Sequence, residues 1–331
     1  MLNVAQIGVG YWGPNLLRNL IDNPRCNLKT VVELSEDRQL YIKNHYKNII
    51  VTSQIQQVID DNDIDAVIIS TPVKTHFDLA YKLLNAGKHV LVEKPIATNL
   101  SEVDKLKKIS TEKNLLVMAG HTFLYNSAVI KVKEIIDNGD LGDIRYIYSQ
   151  RVNLGRIRDD VDAMWNLAPH DLSIIQYWLD DMEPIEINVN GSSYIQNGIN
   201  DVTFINLKFK NKIMANIHVS WLDPRKIRRM TIVGSKKMIV YDDISDEKIK
   251  LYNKGIDKVS TLGKNMDFDE KSFTYHNRNQ ELYVPNIDWE EPLKVEIDHF
   301  FDCIIDNISC ISGIDHARTV VKILCDASND N

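Results

Sequence analysis

The chain has 331 residues, 44% hydrophobic and 26% charged, the balance of a soluble globular protein with room for one or two domains. A net charge of −7 argues against general nucleic-acid binding and against a polybasic membrane anchor. No apolar run approaches the ~18 residues that a membrane span requires.

Val4 to Ile7 is a short apolar run, enough for one buried strand, and the chain enters it so directly that no signal peptide is expected. The run ends in Gly8-Val9-Gly10-Tyr11-Trp12-Gly13, the pattern G-x-G-x-x-G. Pro14 suits a first helical turn, where its missing N–H had no partner anyway. Leu16, Leu17, Leu20 and Ile21 fall on one face of that helix, and Asn23-Pro24 ends it. A second strand, Leu28 to Val32, closes on Glu33, twenty residues past Gly13. Gly8 permits the tight turn. Gly10 lets the backbone approach a pyrophosphate held at the positive end of the helix. Gly13 lets helix and strand pack closely, and Glu33 accepts from a ribose diol. Glu33 would repel a 2′-phosphate, so NAD is expected rather than NADP. The alternative, a glycine turn in some other α/β fold, is weighed down by the flanking strand, helix and acid.

The α/β alternation continues. Ser53 to Asp60 reads as a short helix, and Ala66 to Ile69 as a buried strand leaving into Ser70-Thr71-Pro72. Thr75 is the expected N-cap of a helix that turns Leu79, Ala80, Leu83 and Leu84 inward and stops at Gly87. His89 to Val92 is the next strand, with Glu93-Lys94-Pro95 at its exit. Ser101 and Asp104 resemble a capping box, and the strand Leu115 to Ala119 ends at Gly120-His121. Strands and helices at this spacing imply a doubly wound parallel sheet with right-handed crossovers. Asn126 to Asn138 is a helix stopped by Gly139. Beyond Ile144 strands follow one another: Thr203 to Phe209 and Ile213 to Ser220 alternate across Lys210-Asn211-Lys212, a hairpin, and Arg229 to Val233 pairs with Lys236 to Tyr241 across Gly234-Ser235. Ile249 to Leu251 alternates too. Leu293 to Ser328 is helical again, with a break near 307–314. Residues 1–121 are therefore expected to form a dinucleotide-binding Rossmann domain. Residues 122–331 are expected to form an α+β domain on a mostly antiparallel sheet with one open face. Cys26, Cys303, Cys310 and Cys325 lack C-x-x-C spacing and read as reduced thiols of a cytoplasmic protein, not as a zinc site or disulfide framework.

In open α/β sheets ligands bind beyond the carboxyl ends of the strands. Ser70-Thr71-Pro72, Glu93-Lys94-Pro95 and His121 lie at such ends, on the rim that carries the glycine turn. A lysine leaving a buried strand is desolvated unless it has a task or a partner. Lys94 is therefore either a working group or the cation of an ion pair with Glu93 or a cofactor phosphate. Trp165-Asn166-Leu167-Ala168-Pro169-His170-Asp171 runs into an amphipathic helix carrying Leu172, Ile175 and Leu179. At a helix N-terminus the cation of His170 is disfavoured, which poises it as a neutral base; the alternative is a buried, satisfied histidine. His45, His89, His218, His276, His299 and His316 have no companion motif and read as structural or surface. Arg151, Arg156 and Arg158 form one basic cluster, and Arg225, Lys226, Arg228 and Arg229 a second. Either could receive a phosphorylated substrate, or simply face solvent or a second subunit.

Together these residues resemble the Gfo/Idh/MocA family of sugar and polyol oxidoreductases, over nearly the whole chain. Ile7 to Gly13 is similar to its dinucleotide turn, Glu93-Lys94-Pro95 to its E-K-P signature and His170 to its catalytic histidine. Within the family, Gly8 to Asn15, Asn153 to Arg158 and Ala168 to Asp171 look most like the nucleotide-sugar 3-dehydrogenases. Those enzymes oxidise UDP-N-acetylglucosamine at C3 to feed an aminotransferase in making lipopolysaccharide or other cell-surface glycans. The resemblance implies catalysis by Lys94 and His170. It implies NAD contacts from Gly8, Gly10, Tyr11, Trp12, Gly13, Glu33, Ser70, Thr71, Pro72, His76, Glu93 and Lys94. It implies sugar-nucleotide contacts from Lys94, Tyr125, Asn153, Arg156, Arg158, Asn166 and His170, and no metal. It also implies a homodimer or homotetramer joined through the open sheet face. Many members carry aspartate four residues before the histidine; Asn166 stands here, and it can orient a hydroxyl but cannot accept a proton. The competing readings are a dehydrogenase of a free sugar or inositol, an NADP-linked ketoreductase, and a non-catalytic NAD-sensing regulator.

Overall fold

The structure, a computed structural model, describes residues 1–155, 157–260 and 273–329. It divides into two compact units: residues 1–126, 169–183 and 289–331 form the first, residues 127–168 and 184–288 the second.

The first unit is built on β1 (Leu2–Ile7), α1 (Gly13–Asp22), β2 (Cys26–Val32), α2 (Glu36–His45), β3 (Ile50–Thr52), α3 (Gln56–Ile59), β4 (Ala66–Ile69), α4 (His76–Asn85), β5 (His89–Glu93), α5 (Leu100–Lys113) and β6 (Val117–Gly120). The six strands are all parallel, in the order β3-β2-β1-β4-β5-β6. This is the doubly wound sheet that the strand–helix alternation implied. Every residue of β4 is buried, as expected of a strand covered on both faces. Two local expectations need correction. The N-cap of α5 is Asn99, whose side chain accepts the Glu102 N–H, while Glu102 accepts from Thr98; the capping pair lies two residues before Ser101 and Asp104. The helix α2 was not anticipated because it has no apolar stripe: Ile42 is its single buried residue.

The second unit carries α6 (Ser127–Asp137), β7 (Ile144–Leu154), the first residues of α7 (Ala163–Trp178), β8 (Glu186–Ser192), β9 (Val202–Lys208), β10 (Met214–Ser220), β11 (Leu222–Gly234), β12 (Met238–Asp242), β13 (Ile249–Ser260) and β14 (Phe273–Tyr283). Its strands form one sheet in the order β14-β13-β12-β11-β7-β10-β9-β8, antiparallel except for β7 against β10. The two hairpins expected around residues 211 and 235 are present. Alternation decides the faces: Thr203, Ile205 and Leu207 are buried, while Phe204, Asn206 and Lys208 are exposed.

From Pro169 the residues of α7 belong to the first unit, as do α8 (Pro292–Ile305) and α9 (Ile314–Asn329). α9 buries Ala317, Val320, Val321 and Leu324, one helical stripe, and packs on α5 and β6. α8 packs on α1 and on the short turn Thr122–Tyr125 that follows β6.

Candidate active site

The glycine turn closes β1 onto α1. Gly8 has φ +89°, and a Cβ there would lie 2.8 Å from the Ser70 carbonyl oxygen. A Cβ at Gly13 would lie 2.8 Å from the Gly8 carbonyl. Both positions are thus closed to any side chain, whereas the nearest atom to a Cβ at Gly10 is an Arg38 nitrogen at 3.5 Å. The turn is tied from beneath by Gln6, fully buried, whose amide donates to the Gly8 and Gly13 carbonyls at 3.0 and 2.9 Å. Ser70 Oγ donates to the Gly8 carbonyl at 2.7 Å.

Glu33 is buried at the end of β2. One carboxylate oxygen accepts the Val9 N–H at 2.6 Å and the other the Ser35 N–H at 2.9 Å, so the acid braces the turn and leaves one lone pair per oxygen for a diol. Arg38 donates to the Val9 carbonyl at 2.7 Å. It lines a cleft of about 400 Å³ with Gly10, Asn15, Tyr41 and Tyr46. Sequence reasoning missed both Gln6 and Arg38. The one signal for Arg38 was a cation a helical turn past Glu33.

The exits of β4, β5 and β6 form the rest of the rim. The Lys94 N–H donates to Glu93 Oε2 at 3.3 Å, while the buried Oε1 has no hydrogen-bond partner among the described residues. Burial pushes the Glu93 carboxyl up to about 7, with the Lys94 ammonium and the Lys94 backbone N–H opposing it. Gly120, at the end of β6, makes the room: a Cβ there would sit 3.3 Å from Glu93 Oε2. Behind Glu93 lies Glu296 of α8, fully buried and accepting from Thr122 Oγ1 at 2.8 Å. Burial and the charge of Glu93 hold its pKa well above the carboxylate range. Glu296 is therefore the neutral acid of the two.

His121 and His76 correct the expectation. His121 is 3% exposed and stands behind the rim, edge-on to His316 at 5.6 Å. Burial, with His316 and Lys94 adding to it, drives its pKa far down, so the ring is neutral. His316 in turn meets Asp181 at 2.6 Å. His76, expected among the cofactor contacts, has one ring nitrogen 2.8 Å from the Pro95 carbonyl and the other 2.8 Å from the Thr71 carbonyl. It is a buried brace between the two loops. Burial lowers its pKa, against the two carbonyls.

His170 also differs from the expectation in its setting. α7 starts at Ala163 and carries Pro169 inside it, so His170 lies two turns into the helix and the argument from a helix N-terminus does not apply. The imidazole is half-buried and packs edge-on against Phe123 at 4.9 Å. Phe123 belongs to the turn after β6, two residues past His121, so His170 and the strand-end groups lie in the same unit.

The expected substrate contacts fare unevenly. Tyr125 is 1% exposed, with its hydroxyl 2.8 Å from Ser312 Oγ and its ring against His299; it belongs to the core and cannot touch a substrate from there. Arg158 is held bidentately by Asp160 at 2.8 and 2.6 Å, which raises its pKa. Asn166 accepts from the Trp221 indole N–H at 3.3 Å. Asn153 is half-buried near the end of β7. Arg156 lies outside the described residues. In the clusters of basic residues, Arg151 is buried and Arg228 pairs with Asp243 at 3.2 Å.

Residues 2–121 match the family model described as oxidoreductase family, NAD-binding Rossmann fold, and residues 129–240 match the Gfo/Idh/MocA C-terminal domain. The chain is 27% identical over 194 residues to UDP-N-acetylglucosamine 3-dehydrogenase of Acidithiobacillus ferrooxidans, covering 58% of this chain and 60% of that one. It is 24% identical over 279 residues to myo-inositol 2-dehydrogenase of Thermotoga maritima, covering 78% and 80%. The matched part spans about half to two thirds of most of these relatives, from 45% to 64% of the first five. A crystal form of the Acidithiobacillus enzyme superposes with a TM-score of 0.80 at 20% identity, covering 99% of this chain and 97% of that one. GenD2 from gentamicin A biosynthesis, in complex with NAD, superposes with 0.82 at 20% identity, covering 99% and 93%. Such superpositions speak to the fold. The cradle itself fits NAD: Gly8 and Gly13 keep the turn clear of side chains, and Glu33 presents acceptors beside it.

Proposed function

Because this chain belongs to the Gfo/Idh/MocA family of oxidoreductases, we propose that it oxidises the C3 hydroxyl of a nucleotide-linked sugar, UDP-N-acetylglucosamine, to the ketone. Bound NAD supplies the hydride acceptor. The observation that carries the reading is the parallel run of β1, β4 and β5, whose carboxyl ends bring the glycine turn and the Glu93-Lys94-Pro95 turn to one end of the same sheet.

In this reading His170 takes the hydroxyl proton as general base, a role open to a half-buried imidazole on a rigid helix. Lys94 donates to the oxygen as charge develops on it, where a fixed cation helps most. Glu93 balances the charge of the ammonium, while neutral His121 and His76 add no competing charge. Asn166 orients the hydroxyl without taking its proton. Residues 1–121 hold the cofactor and residues from 122 onward hold the sugar, Arg156 and Arg158 meeting the diphosphate. Arg158 must then share itself with Asp160. The same reading makes the protein a cytoplasmic homo-oligomer joined through the open sheet face, where Tyr146, Phe204 and Met214 are exposed. Among the described residues no helix is long and apolar enough to cross a membrane.

A second reading, oxidation of an inositol or free sugar, is favoured by one observation: Asp160 already neutralises Arg158, as a site without a diphosphate would allow. The deciding experiment measures NADH formation with UDP-N-acetylglucosamine, N-acetylglucosamine and myo-inositol side by side. Turnover of the sugars that lack the uridine diphosphate, and none of the nucleotide sugar, would overturn the first reading.

A further inference from the structure

We propose that His299, Cys303 and Cys310 form a binding site for one thiophilic divalent cation of the zinc class, which clamps the connection between α8 and α9. His299 and Cys303 stand four residues apart on α8 and so share a face. Cys310 comes from the connection, after the chain reverses at Asn307 with φ +54°. One ligand atom from each residue lies within 4.8 Å of the other two. Cys303 Sγ is 3.4 Å from His299 Nε2. Bonds of about 2.05 and 2.3 Å at a tetrahedral zinc put a nitrogen and a sulfur ligand about 3.6 Å apart.

The imidazole is also in the right tautomer. The Ile311 N–H donates to Nε2 at 3.1 Å, so that nitrogen carries the lone pair, and it is the one beside Cys303. Ligation exchanges this hydrogen bond for a metal bond, and the two thiol protons pass to solvent. Two thiolates and an imidazole select zinc-like ions over magnesium or calcium. Cys303 is buried and the other two ligands are half-buried, which leaves an approach for the ion and for water as fourth ligand. The clamp acts on a segment that already closes onto the sheet: the Ser312 carbonyl accepts the Ala119 N–H at 2.9 Å, and Gly313 bridges to Met118 of β6. The spacing H-x3-C-x6-C is not a short paired repeat, which is why the cysteines read from sequence as ordinary thiols.

Full-length protein, reduced and stripped with a chelator, is titrated anaerobically with Co²⁺. The expected result is a thiolate-to-cobalt charge-transfer band that saturates at one equivalent and is displaced by Zn²⁺. C303S and C310S should lose the band, and H299Q should bind at least tenfold more weakly. Zinc should raise the melting temperature of the wild type and leave that of C303S unchanged. Absence of the band in reduced wild-type protein overturns the proposal, whether or not Cys303 and Cys310 form a disulfide on purification. So does a band that persists in C303S or C310S. The wild-type titration needs no variant to fold.

Discussion

Replacing Glu93 by glutamine tests how the rim is charged. Burial moves this carboxyl from 4.5 to about 7, with the Lys94 ammonium and backbone N–H opposing the shift. Between those values the folded protein holds a proton that the unfolded chain has released. The acid therefore costs nothing below 4.5, costs progressively more as pH rises through the window, and reaches its full cost above 7. At about 1.4 kcal/mol per pH unit the window corresponds to about 3 kcal/mol. Lys94 loses its counter-charge in E93Q, so the net gain falls below that, to about 1–3 kcal/mol at pH 8. The assay is urea unfolding of wild type and E93Q followed by circular dichroism at pH 5 and pH 8. The difference between the two proteins cancels the buried histidines, whose lowered pKa values weaken the fold on the acid side in both. The variant should match the wild type near pH 5 and exceed it at pH 8. A difference that does not grow with pH, or a variant less stable at pH 8, refutes the reasoning.

Lys94→Ala should lower saturated turnover by on the order of 10²-fold while NAD affinity stays within about threefold, measured by NADH formation and cofactor fluorescence. Turnover within about threefold of wild type would remove Lys94 from the chemistry. Glu33→Ala takes the acceptor from the Val9 and Ser35 N–H groups and leaves Arg38 beside the ribose site, so NAD should bind about tenfold more weakly and NADP gain relative to it. Wild-type protein that prefers NADP contradicts the role given to Glu33. Gly8→Ala forces a side chain to φ +89° and within 2.8 Å of the Ser70 carbonyl, and should destabilise the fold by about 2–4 kcal/mol; an unchanged thermal midpoint would show that the turn relaxes freely.

Much of the architecture was legible because it rests on local patterns. A period of two marked β9 and β10, a four-residue buried run marked β4, and glycines stood where the backbone has no room for a Cβ. The helix α2 escaped because it buries one residue and so shows no stripe. The helix that carries His170 was placed two turns late, because Pro169 looked like a start and lies inside. Tyr125 and His76 were expected at the ligand, yet both are bound within the fold, and neither residue type says which way it points.

By itself the sequence determined that the first sheet is parallel and doubly wound, the alternation of the second, the glycine turn and its acid, and the strand-end position of Lys94. Those features follow from burial period and backbone freedom, which neighbouring residues express. Only the tertiary structure decided that Glu296 stands behind Glu93, that His316 meets His121, that Phe123 backs His170 and that two cysteines converge on His299. Several of these partners are far apart along the chain, as Thr122 and Glu296 are by 174 residues, and no local pattern encodes such a meeting until the layers have packed.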